Sequence, residues 1–82
     1  MSLDMTEFIM RVEETYGFEI PIEDYESLKT VGLLCEYIQK RSPRSDGSVI
    51  LDTVRQMIYE NFHIPRDEIS PESRWIEDLG LG

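Results

Sequence analysis

Little in this chain could hold a metal, a disulfide or a strand of nucleic acid. Cys35 is its one cysteine and His63 its one histidine, so it can form neither an internal disulfide nor a Cys/His zinc site. Its 8 Lys and Arg stand against 17 Asp and Glu, for a net charge of −9. Phosphate backbones and anionic membrane surfaces ask for the opposite, clustered Lys and Arg. No apolar run approaches the roughly 18 residues of a membrane span, and the start lacks a basic, then apolar, leader. A soluble, reducing, cytoplasmic setting is the resulting expectation. The acid ladder of a calcium loop is missing, and Gly80 and Gly82 precede no helix that could cradle phosphate. A nucleophile needs a neighbouring base, and His63 is isolated in a proline-bounded loop. We therefore expect no enzyme and assign no catalytic residue. At 82 residues the chain suits one small domain without a cleft between two lobes.

What is present is helical patterning. Met5, Phe8, Ile9, Val12 and Tyr16 recur at helical spacing and predict a helix over residues 3–16, ended by Gly17, which can take positive φ. Asp4 and Glu7 suit the positive end of its dipole, whereas Glu13 and Glu14 near the other end do not. Helix stability does not account for those two acids, which points to a partner-facing role. Pro21 opens a short helical stretch near 22–26. Thr30 reads as the cap of a helix over 31–41, with Val31, Leu34, Cys35 and Ile38 inward; Cys35 is read as a small core residue. Residues 42–48 form a linker, where Pro43 and Gly47 interrupt regular structure. Ser48 reads as the cap of a third helix over 49–62, with Ile50, Leu51, Val54, Met57, Ile58 and Phe62 as its stripe. After residue 62 comes a long loop with a capped turn at Ser70-Pro71-Glu72-Ser73. Its Ile64, Ile69, Trp75, Ile76, Leu79 and Leu81 predict a loop that packs. The fold class is all-α, a small bundle of three main helices and one short one.

Two stretches carry a resemblance. Leu51-Asp52-Thr53-Val54-Arg55-Gln56-Met57-Ile58-Tyr59-Glu60, with Ile69 to Leu81 and its Glu77-Asp78-Leu79-Gly80-Leu81, resembles the first half of an acyl carrier protein. Ser2-Leu3-Asp4-Met5-Thr6-Glu7-Phe8-Ile9-Met10-Arg11-Val12-Glu13-Glu14, continued by Gly17-Phe18-Glu19-Ile20-Pro21 and Leu28 to Gly32, resembles the second half. The halves stand in reverse order. The resemblance thus implies a single carrier domain over 1–82, circularly permuted at the Asp-Ser-Leu motif. Residues 1–41 correspond to the family's C-terminal half, 42–48 to the linker and 49–82 to its N-terminal half. Seven linker residues span at most about 25 Å, enough to join neighbouring helix ends in a small bundle. An engineered origin is the expectation.

By the same resemblance Ser2 is the attachment site of 4′-phosphopantetheine, whose terminal thiol carries acyl groups as thioesters in fatty-acid, lipid or polyketide-type synthesis. Leu3, Asp4, Met5, Glu7, Met10, Glu13 and Glu14 become the surface that meets partners, namely a phosphopantetheinyl transferase and acyl-handling enzymes with basic docking patches. Charge complementarity of that kind sets encounter rate and orientation more than affinity. Where the family has Asp before its serine, this chain has Met1. The competing reading is a helical interaction module without the prosthetic group. A monomer is expected, with a domain-swapped dimer as the other arrangement open to a cut beside a helix.

Overall fold

Three amphipathic segments in a chain this short can bury their apolar stripes only against one another. The computed structural model describes residues 3–80, with side chains from residue 5 onward, as three α-helices: α1 (Leu3–Tyr16), α2 (Val31–Arg41) and α3 (Gly47–Phe62). Short 3-10 helices at Ile22–Ser27 and Arg66–Glu68 interrupt the connections. The stripes converge on one core: Met5, Phe8, Ile9 and Val12 from α1, Val31, Leu34 and Ile38 from α2, and Ile50, Val54, Met57 and Ile58 from α3. Tyr16, Cys35, Leu51 and Phe62, placed inward by their spacing, sit at its margin and are only partly buried.

The helix ends follow the local chemistry. Gly17 takes φ +75° and donates its N–H to the Glu13 carbonyl at 2.8 Å, closing α1 as its position predicted. Thr30 caps α2 by accepting the Leu33 N–H through its hydroxyl oxygen at 3.1 Å. The third helix departs from the sequence reading. It begins at Gly47 rather than 49, and its cap is Asp46 rather than Ser48. The Asp46 carboxylate accepts the Ser48 N–H at 2.8 Å and the Ser48 hydroxyl at 2.7 Å. Aspartate caps as well as serine does, and Asp46 comes first in the chain. The connector between α2 and α3 is correspondingly shorter than the sequence suggested.

The long loop packs through part of its apolar set, whereas Ile76 is exposed to solvent and Leu81 lies outside the described residues. Ile69 and Trp75 join the core, 1% and 4% exposed, and Ser73 folds its turn by donating its N–H to the Ser70 carbonyl at 3.0 Å. That loop is laced to the start of α2. Val31 and Gly32 donate their N–H groups to the Ser73 and Pro71 carbonyls, at 3.0 and 2.8 Å, while the Trp75 N–H reaches the Lys29 carbonyl at 3.3 Å. The Val31 and Gly32 donors belong to the first turn of a helix, which has no acceptors for them within itself. Gly32 makes the approach possible: a Cβ there would lie 2.8 Å from the Pro71 carbonyl oxygen. Aromatic contacts continue the seam, with the Phe8 ring 5.6 Å from Phe62 and 5.5 Å from Trp75. Residues 3–41 and 46–80 therefore share one core. The radius of gyration, 11.5 Å, matches the roughly 12 Å of a single domain of this length.

Candidate functional site

The site expected from the sequence lies on α1 and the residue before it. Ser2, expected from the sequence to be the attachment residue, and the side chains of Leu3 and Asp4 lie outside the described residues. Since α1 begins at Leu3, Ser2 directly precedes a helix. The first N–H groups of a helix and the positive end of its dipole favour a phosphate at that place.

Along α1 the structure divides the expected partner surface. Glu7, Met10 and Glu14 are exposed, with Met10 at 51%. Met5 is not available to a partner: it is 4% exposed and part of the core, because the turn that carries it also carries Phe8 and Ile9 inward. Glu13 is corrected in its role. Its carboxylate accepts the Ile20 backbone N–H at 2.7 Å, so it fastens the connector back onto the end of α1. That bond accounts for an acid at the unfavourable end of the helix, which the dipole argument alone assigned to a partner. The signal was available only indirectly, as an acid just before a Gly17 cap that turns the chain back. Glu14 remains exposed.

Beside Met10 an open groove of about 530 Å³ is bordered by Glu14, Gly17, Phe18 and Pro21. A larger open groove of about 750 Å³ lies between α3 and Pro65–Asp67, where charges are already engaged. Arg66 donates to the Gln56 side-chain carbonyl at 3.0 Å, and Arg55 to the Ile69 carbonyl at 2.8 Å. The connector itself is clamped: the Arg41 guanidinium lies 4.2 Å from the Tyr37 ring centroid and 5.8 Å from that of Phe18, and the Tyr37 hydroxyl donates to Asp24 at 2.8 Å. Burial pushes the Cys35 thiol up to about 11, which keeps it protonated and unreactive at neutral pH. His63 is exposed, and its backbone closes α3 in the left-handed conformation at φ 60°. Among the described residues no group of His, Cys, Asp and Glu could hold a metal ion, and no helix is long and apolar enough to cross a membrane.

Comparison with known proteins adds what α1 alone cannot. The family model described as phosphopantetheine attachment site matches residues 2–38. Acyl carrier proteins of Chlamydia trachomatis (serovar D) and Chlamydia muridarum are each 55% identical to the chain over 40 residues, 49% of this chain and 52% of theirs. The acyl carrier protein of Lactobacillus johnsonii is 50% identical over 38 residues, 46% of this chain and 48% of that protein. The chain thus spans about half the length of the curated relatives it matches. No solved structure matches it significantly. Residues 2–38 are thus similar to the phosphopantetheine attachment-site family, and the chain's first half to acyl carrier proteins.

Proposed function

We propose that this chain is an acyl carrier, not a catalyst, and that Ser2 bears its 4′-phosphopantetheine. The observation that carries the reading is the match of residues 2–38 to the attachment-site family, beginning at that serine. When bound, the group supplies a terminal thiol on which acyl groups travel as thioesters. The protein's own part is to present the serine at the head of α1 and to offer visiting enzymes an acidic surface. Glu7 and Glu14 flank the exposed Met10 there. Asp4 joins them by resemblance, while Glu13 serves the fold. Basic patches on a phosphopantetheinyl transferase and on acyl-handling enzymes of fatty-acid, lipid or polyketide-type synthesis complement that charge.

The same proposal takes residues 49–82 as the family's first half and 1–41 as its second, in exchanged order. What supports it is the common core and the hydrogen-bonded seam between the loop and α2. The test is incubation with coenzyme A and a broad-specificity phosphopantetheinyl transferase, followed by intact mass. One phosphopantetheine per chain is expected, and none on Ser2→Ala. An unchanged mass of the parent chain would overturn the carrier reading in favour of a plain interaction module.

A further inference from the structure

Acidic side chains crowd two stretches of this surface, and they stand in different company. On α1, Glu7 and Glu14 are exposed, and neither lies within ion-pair distance of a cation among the described residues. Arg11 stands four residues after Glu7 and three before Glu14, the spacing at which helical side chains meet, yet it pairs with neither. In the loop, by contrast, Glu77 and Asp78 are engaged. The Arg74 guanidinium lies 3.2 Å from Asp78 and 3.7 Å from Glu77, and the Asp78 carboxylate also accepts the Arg74 backbone N–H at 2.8 Å. Asp78 and Leu79 donate their own N–H groups to the Arg74 carbonyl, each at 3.0 Å, so the three charges ride on one turn of backbone. Among the described residues, Arg74 is the one cation that holds two carboxylates. It is also the one Lys or Arg between residues 67 and 82.

That turn is anchored. Arg74 pairs with Thr30 in a β-bridge, and the Trp75 N–H is held by the Lys29 carbonyl. Exposed ion pairs of this kind add little to stability, which leaves their effect on the surface field. One positive charge between two negative ones cancels half of the local charge and occupies oxygens that a partner's cation would otherwise take. We propose that Arg74 is a specificity-determining residue toward basic partners: by holding Glu77 and Asp78 it withdraws the loop acids from recognition and leaves the α1 acids as the address such partners read. A repulsive charge set beside an attractive pair is how a surface excludes a wrong mode of docking. The inference deepens the carrier reading and rests on it.

The test follows transfer of phosphopantetheine from coenzyme A by a broad-specificity transferase, with initial rates read by intact mass at several salt concentrations. Arg74→Gln should raise kcat/KM about two- to fivefold, the range of one exposed ion pair. The gain should come through KM with kcat unchanged, and it should vanish in high salt. Lys40→Gln removes the same charge from the exposed end of α2 and should change kcat/KM less than twofold, which separates a local effect from net charge. Glu77→Gln should change the parent chain less than twofold but reverse most of the gain in the Arg74→Gln background. Equal responses to Arg74→Gln and Lys40→Gln, or none to Arg74→Gln, would overturn the assignment while leaving the carrier intact. No modification of the parent chain would instead remove the carrier reading and this inference together. Should Arg74→Gln not fold by circular dichroism, Glu77→Gln in the parent chain decides. A loss above fivefold would mean that the loop acids are read despite Arg74, whereas a silent Glu77→Gln beside an impaired Glu14→Gln supports the assignment.

Discussion

At His63 the backbone adopts φ 60°, where a Cβ crowds the following carbonyl. A left-handed residue other than glycine costs about 1–2 kcal/mol, and the His63 imidazole is exposed to solvent. His63→Gly should therefore stabilise the fold by about 1 kcal/mol, raising the thermal midpoint by about 4–8 °C for a domain of this size. Calorimetry checks this, and a lowered midpoint would mean the imidazole contributes more than the strain removes. Single residues were also where sequence reasoning was weakest. Glu13 and Ile20 are seven apart, so their hydrogen bond follows from how the connector turns after Gly17 and from no periodicity. The Trp75 Nε1, a buried donor with no hydrogen-bond partner among the described residues, was equally invisible, since enclosure of a donor is settled only when the loop, α1 and α2 are assembled.

Among the elements, the helices were legible because each carries a 3.6-residue stripe and explicit end signals. The Gly17 and Thr30 ends lie where the sequence placed them, whereas the start of α3 shifted because two capping residues, Asp46 and Ser48, compete within three positions. The cap that prevailed makes α3 sensitive to acid. Hydrogen bonds from the Ser48 side chain and backbone hold the Asp46 carboxyl below its ordinary value. The Arg74 backbone and guanidinium do the same for Asp78. A carboxyl whose value is depressed on folding contributes stability above its unfolded value, about 4, and loses it as the pH falls through the folded value. The midpoint should therefore decline below about pH 4. Asp46→Ala should lower it at pH 7 and narrow the gap between pH 7 and pH 3, leaving Asp78 and other acids to supply the remainder. A gap of unchanged width in a scan across that range would count against Asp46 as a contributor.

For the whole molecule the decisive feature is the seam at which the loop meets α2. Helix propensity alone would favour Ala over Gly by about 1 kcal/mol, so Gly32→Ala should stabilise if α2 were an isolated helix. A methyl group 2.8 Å from the Pro71 carbonyl oxygen reverses the sign, because overpacking of this kind costs about 1–3 kcal/mol. We expect a fall in the chemical-denaturation midpoint with an unchanged slope. A rise would mean that the loop yields without cost. The seam was only half legible: the apolar content of residues 64–81 predicted that the loop packs, but nothing in the order of residues said that its carbonyls would cap α2.

The placement of Trp75 at that seam gives the chain a built-in optical gauge. Its lone indole packs against Phe8 of α1 while its backbone N–H holds the Lys29 carbonyl at the approach to α2, so its emission tracks the union of the two segments rather than the fraying of any one helix. A red shift in fluorescence would report their parting, even where the helical content remained.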